Sequence, residues 1–509
     1  MVKKLNHLIS NWIVYPVLFA LTEILILTGP NLANVKLSQA WAPMLWLAGA
    51  SIVVLFAFYA WCKNWHRAGL LTLLFLIWFD RYGFAAQAIE GIPGVEMKLP
   101  HMIAFFFIWT APFLLIGSSF LWRKVQKPSM FTQYLNVVMV LLLAYSAYRI
   151  FSYESQRIPQ TFTQEFYPLA PALQSDQMPD IYYIIADGYG RQDVLKEIYN
   201  VDNQSFIEYL KESGFYVADQ SRSNYIRTML SMSSALNFGY LPDLSTTSND
   251  EGPLQWLYTN SRLRRALEDL GYQTTWMTGW QPRSAENIVA SLFWLNSITA
   301  LPVEAGILPS SLPTFREQHN LIDTQIAKLA ELAAQTGPKF VYLHILVPHP
   351  PFIYDHDGPV TPNEVYMLSD AGSFPGSPAE YVQGYSEQIQ YVNVLLRQAV
   401  ENILANSAQP PIIIIQGDHG GGAYLTGSVE ESCIRERYSI LNAYHLPGEA
   451  AQRLYPGITP INTFRLILSS YFGADLELIE EEKSYFSPAG QTYRFIDVTG
   501  LASQACEIP

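Results

Sequence analysis

Uninterrupted apolar runs dominate the first 150 residues, near 10–28, 42–62, 68–86, 102–122 and 132–150. Each approaches the roughly 20 residues a helix needs to cross hydrocarbon. Core helices of soluble proteins carry a polar face and these runs do not, so the pattern predicts a bundle of about five transmembrane helices. The third run is the least regular, because Asp80 and Arg81 lie near its end and a charge in lipid is costly unless it reaches the interface. The first has no small-residue cleavage pattern and further runs follow it, so it reads as an anchor and not a signal peptide.

Beyond residue 178 the periodicity changes. Residues 153–178 are polar and carry Pro159, Pro168 and Pro171, the composition of a linker. The β-rich run Asp180–Ala186 follows. Helix-like patterns at 204–213 and 261–270 come next, the second leading through Gly271 into the strand-like YQTTWMT. An amphipathic stretch at 320–335 runs into Lys339–Val347, and another at 391–406 runs into Pro411–Gln416. Helices feeding uniformly apolar strands predict a mostly parallel central sheet covered by helices, with its active site beyond the carboxyl ends of the strands. The expected class is α/β, organised as a membrane anchor (1–152), a linker (153–178) and a catalytic body (179–509).

Charge separates the same two objects. Charged residues are only 15% of the chain, against roughly 25% in soluble domains. Residues 1–150 hold eleven Lys/Arg and four Asp/Glu, a formal +7, which leaves 20 basic and 40 acidic residues, or −20, for the rest. An acidic body excludes nucleic acid as the natural substrate, because phosphate backbones select basic surfaces. Lys3 and Lys4, then Lys63 and Arg67, then Arg123, Lys124 and Lys127 fall in alternate inter-run segments, which the positive-inside bias places in the cytoplasm. With five spans, the body is delivered to the opposite side of a bacterial-type inner membrane, periplasmic or extracellular. There Cys433 and Cys506 either pair or stay free thiols.

Candidate chemistry sits at the strand ends. Asp187-Gly188 follows the first strand; a carboxylate there can hold a cation, although Asp-Gly alone is usually a turn. Asp418-His419-Gly420 follows PIIIIQ and offers one oxygen and one imidazole to the same ion, a pairing that suits zinc or manganese. His344 and His349 lie five apart, the second between Pro348 and Pro350, as groups held at a pocket rim facing an anionic substrate or a second metal. Between these motifs, residues 223–237 are rich in hydroxyls, any of which a metal would turn into a nucleophile. Such segments are also common helix starts.

In this order, the DG after a first strand, the T-x-x-S start at Thr228, the PH-P-F segment and the strand-end DHG resemble the alkaline-phosphatase/sulfatase superfamily over residues 178–450. With its five-run anchor the chain is similar to lipoteichoic-acid synthases, phosphoglycerol transferases and lipid A phosphoethanolamine transferases. The resemblance implies that Asp187, Thr228, Asp418 and His419 bind one divalent ion (zinc, manganese or magnesium), a second ion remaining an alternative. It makes Thr228 the nucleophile and His349, with His344, substrate-side; Arg227 is a further candidate clamp. Sulfatases carry Cys or Ser at the position of Thr228 and Arg at that of Met232, so the departure here favours phosphorus over sulfur. The function implied is transfer of a phosphoglycerol- or phosphoethanolamine-type head group from a phospholipid donor to a glycan or lipid acceptor. Alternatives are a membrane-bound phosphodiesterase or sulfatase-like hydrolase, and an inactive membrane scaffold.

Overall fold

The computed structural model describes residues 12–29, 32, 37–90, 99–115, 117, 127–155, 178–244, 250–279, 289, 293, 297, 314–360, 366 and 368–506. Most of the expected linker, the end of the fourth apolar run and several of the basic residues used for orientation lie outside them. The chain forms two units, residues 1–157 with 282–312 and residues 158–281 with 313–509. The excursion 282–312, which the apolar pattern assigns to the catalytic body, clusters with the first unit, where Val289 and Phe293 join its apolar core.

The first unit is helical: α1 Tyr15–Thr28, α2 Trp41–Cys62, α3 Trp65–Asp80, α4 Tyr82–Glu90, α5 Leu99–Leu115 and α6 Pro128–Ser155. The third apolar run is two helices, α3 ending at Asp80 and α4 beginning at Tyr82. The break falls at the charges: Arg81 pairs with Glu23 of α1 and lies 3.4 Å from Asp80. Asn136 ties α6 to α1, accepting from the Tyr15 N–H at 3.0 Å and donating to the Trp12 carbonyl at 2.8 Å. Residues Leu37–Cys62 and Pro128–Ser155 are long and apolar enough to cross a membrane, whereas α1 and α5 are apolar but shorter. Large apolar side chains such as Trp46, Val53, Phe107, Leu141 and Phe151 point outward, a surface that hydrocarbon covers at no cost and water does not.

In the second unit a six-stranded sheet runs β2-β6-β5-β1-β4-β3, with β1 Ile181–Ala186, β2 Tyr216–Val217, β3 Gln273–Thr278, β4 Lys339–Ile345, β5 Ile412–Gln416 and β6 Asn442–His445. The pairs β5-β1, β1-β4 and β4-β3 are parallel, and β6 and β2 are antiparallel at one edge. The sheet is therefore mixed where the sequence pattern reads as mostly parallel.

Alternate residues of each strand enter different cores. Tyr182, Ile184, Leu343 and Ile415 face α7 (Gln192–Tyr199), α8 (Gln204–Glu212), α12 (Phe315–Ala333) and α13 (Pro378–Asn406). Ile181, Tyr183, Tyr342 and Ile414 face α9 (Thr228–Ala235), α11 (Arg262–Asp269) and α15 (Pro460–Tyr471). Burial on both faces explains why the strands read as unbroken apolar runs. Capping boxes start two of the long helices, Thr314 with Glu317 for α12 and Ser377 with Glu380 for α13. The unit also holds the helices α10 (Gly252–Thr259) and α14 (Ile434–Tyr438). Cys433, at the N-cap of α14, is disulfide-bonded to Cys506, 73 residues away, with the Cα atoms 5.3 Å apart. The bond fastens the C-terminal segment to the helix that follows the strand-end DHG.

Phe464 of α15 meets Tyr183 edge-on at 5.0 Å and is fully buried. Phe464→Ala is expected to destabilise the second unit by about 3–5 kcal/mol, read from the denaturant midpoint at unchanged m-value.

Candidate active site

Three adjacent parallel strands deliver the site. Asp187 follows β1, Asp418 and His419 follow β5, and His349 follows β4. Asp187 is fixed through its backbone: its N–H donates to the Ile345 carbonyl at 3.0 Å, and its carbonyl accepts from the His349 N–H at 2.9 Å. Gly188 turns the chain with φ +77°, and its N–H donates to Asp418 Oδ1 at 3.0 Å, as does the His419 N–H. A side chain at Gly420 would collide with the carbonyl of Glu436, so glycine there is set by close backbone packing.

The polar atoms of this cluster face one another. His419 Nδ1 donates to the Gly420 carbonyl at 2.9 Å, which leaves Nε2 with its lone pair outward. Nε2 lies 3.6 Å from Asp187 Oδ1 and 3.5 Å from Asp418 Oδ2. Both of those oxygens are buried and have no hydrogen-bond partner. Buried carboxylate oxygens without donors are costly, and three facing acceptors are what a cation satisfies. Among the described residues, Asp187, Asp418 and His419 form a group whose ligand atoms lie within 4.8 Å of one another. Counting histidines as uncharged, Asp187, Asp418 and the neighbouring Asp370 stand against Arg437 alone, a formal −2 that one divalent ion balances. The donor set of one imidazole and two carboxylates fits such an ion.

Thr228 opens α9, with Arg227 at the N-cap, and its Oγ1 lies 3.2 Å from His419 Nε2. The first turn of the helix leaves backbone N–H groups without intrahelical acceptors, beside the place where anionic oxygens would develop. The competing hydroxyls are occupied elsewhere. Ser231 donates to the Tyr225 carbonyl at 2.9 Å, Ser233 to Leu254 at 3.0 Å and Ser234 to Gly239 at 2.8 Å, and all three are buried.

The remaining residues divide. His344 is buried with both nitrogens engaged, Nε2 3.2 Å from Asp187 Oδ2 and Nδ1 3.3 Å from the Tyr342 hydroxyl. It braces Asp187 and presents no free nitrogen to a substrate. His349 holds its ring through Nδ1 to the Pro350 carbonyl at 2.6 Å, with Nε2 3.6 Å from Asp370 Oδ2. Arg227 is half-buried with its charge set against Glu251, and burial lowers its pKa.

Two residues outside the sequence motifs join them, Asp370 and Arg437 of α14. Arg437 Nη1 donates to Asp370 Oδ2 at 2.6 Å, Nε to the Ile226 carbonyl at 2.8 Å, and Nη2 reaches His419 Nε2 at 3.2 Å. Burial raises the Asp187 carboxyl, but His349, His344 and His419 outweigh it and hold the group well below the usual carboxylate range. Asp370 is held low in the same way against its burial, chiefly by Arg437. His419 is lowered by burial and by Arg437, which keeps its imidazole neutral.

A sequence model described as Sulfatase matches residues 179–465, more than half of the chain. The chain belongs to the sulfatase family. It is an enzyme of the sulfatase-like phosphotransferase or hydrolase class. Among curated proteins, none matches its sequence. Similar solved structures include the C-terminal periplasmic domain of EcEptC from Escherichia coli, with 16% identity and a TM-score of 0.43, covering 64% of this chain and 96% of that one. The same domain in complex with Zn aligns at 15% identity and a TM-score of 0.43, covering 65% and 96%. The integral membrane lipooligosaccharide phosphoethanolamine transferase A (EptA) from Neisseria meningitidis aligns at 11% identity and a TM-score of 0.38, covering 91% and 95%. The family assignment rests on the sequence match alone.

Because His419 stays neutral below the ordinary imidazole value of about 6.5, metal content after dialysis is expected to hold from neutral pH through that value and to fall only at lower pH. Asp418→Asn is expected to lose the ion at neutral pH. Elemental analysis reads both.

Proposed function

We propose that this protein transfers a phosphate-ester head group, of phosphoglycerol or phosphoethanolamine type, from a phospholipid to a glycan or lipid acceptor through a phosphothreonine-type intermediate on Thr228. The observation that carries the reading is the 3.2 Å approach of Thr228 Oγ1 to His419 Nε2, at the edge of a buried group with two unpartnered carboxylate oxygens. Asp187, Asp418, His419 and Thr228 would hold one divalent ion, zinc, manganese or magnesium. When bound, such an ion favours the threonine alkoxide and neutralises charge on the phosphoryl oxygens.

The chain's own groups do the rest. Thr228 Oγ1 attacks phosphorus in line, and the bond to the lipid alcohol breaks. The acceptor hydroxyl then attacks the same phosphorus and frees Thr228. Arg437 Nη2 would bind non-bridging oxygens, and His349 would do so when its Nε2 carries a proton, a task for which Arg227 is the weaker candidate because its charge is set against Glu251. His344 orients Asp187 from behind.

The anchor favours a lipid donor. A hydrolase of soluble esters gains little from membrane spans, whereas a phospholipid head group is met only at the bilayer surface. Two helices long and apolar enough to cross, and two shorter apolar ones, support a multi-pass anchor. We read it as about five spans with the N-terminus cytoplasmic and the catalytic body outside.

The test is transfer from a head-group-labelled phospholipid in proteoliposomes. Thr228→Ala is expected to cut turnover on the order of 10³-fold or more while unfolding stays cooperative, and Thr228→Ser to keep part of it. Turnover at the unsubstituted rate in Thr228→Ala would remove the reading.

A further inference from the structure

We propose that Asp370 is a positioning residue that sets the anion-binding Arg437 toward the reacting phosphoryl group. The proposal rests on the phosphotransfer reading above and adds to it a residue without a metal-binding or nucleophilic role. Oδ2 of Asp370 accepts from Arg437 Nη1 at 2.6 Å and lies 3.6 Å from His349 Nε2, beyond hydrogen-bonding distance. The other oxygen is held independently, accepting from the Tyr381 hydroxyl at 2.8 Å, and that hydroxyl in turn accepts from the Gly422 N–H at 3.0 Å. The Asp370 backbone is fixed as well, its N–H donating to Ser373 Oγ at 3.0 Å.

The consequence falls on Arg437. Its Nε is committed to the Ile226 carbonyl and its Nη1 to Asp370 and to the Gly420 carbonyl at 3.2 Å, so Nη2 is the edge left for the site, where it reaches His419 Nε2. Ile226 stands two residues before Thr228, so the same guanidinium is registered against the nucleophile's segment. An anionic carboxylate cannot itself bind a phosphoryl oxygen. Asp370 therefore acts through Arg437, and because the two form one hydrogen-bonded unit their losses should not add.

The experiment measures the affinity of inorganic phosphate for the metal-loaded full chain by calorimetry, with metal stoichiometry and unfolding midpoint recorded for each variant. Asp370→Asn is expected to weaken phosphate binding roughly tenfold or more, with stoichiometry and midpoint retained. Arg437→Lys is expected to weaken it similarly, and the double variant no further than the worse single one. Unchanged or tighter phosphate binding in Asp370→Asn, or additive losses in the double variant, would overturn the proposal. Should Asp370→Asn not fold, Tyr381→Phe keeps the charge and frees Oδ1; a smaller loss of phosphate affinity supports the proposal, and none overturns it. Failure of the unsubstituted chain to bind any divalent ion would instead defeat the phosphotransfer reading beneath it.

Discussion

At the carboxyl ends of two neighbouring parallel strands, Asp187 and Asp418 each turn an oxygen into the protein interior where no donor meets it, and His419 points a lone pair at both. Three acceptors in mutual contact repel one another unless a cation lies among them. The surrounding polar groups are arranged as if to keep that arrangement open. Backbone N–H groups satisfy the other oxygen of Asp418, His344 satisfies the other oxygen of Asp187, and the Gly420 carbonyl fixes the His419 tautomer. Asp187 Oδ1 and Asp418 Oδ2 are left without a hydrogen-bond partner among the described residues, both facing His419 Nε2.

The fold holds this set in place by making its neighbours rigid. Both faces of the sheet are buried, so the strand ends cannot shift without disturbing two apolar cores. The helix that Thr228 opens is tied down by its own serines, and Thr228 is left with its hydroxyl facing His419. Opposite it, the Asp370–Arg437 pair brings a cation to the edge of the cluster without cancelling it. A site of net negative charge that also presents a guanidinium can bind both a divalent ion and a phosphate ester.

Much of this was legible in the sequence, for physical reasons that also explain what was missed. Ionisable residues directly after unbroken apolar strands are costly unless used, and that singled out Asp418 and His419, whereas Asp187 entered through the resemblance of the motif order. Asp370 and Arg437 gave no such signal: one lies in a polar turn, the other in the charged run IRERY of a five-residue helix, and each gains meaning only through a contact 67 residues away in sequence. The antiparallel edge escaped because β2 has two residues and β6 four, too short to register a period. Hydropathy averaged over the Asp80–Arg81 break and so read α3 and α4 as one span. It also gave no reason to separate residues 282–312 from the chain around them.

The most direct measurement is anomalous diffraction at the metal edge from crystals of the metal-loaded protein. We expect one principal peak within bonding distance of Asp187 Oδ1, Asp418 Oδ2 and His419 Nε2, with the Thr228 hydroxyl turned to it. An ion bound elsewhere, or the two carboxylate oxygens met by protein donors with no ion between them, would contradict the cation-centred site on which the function rests.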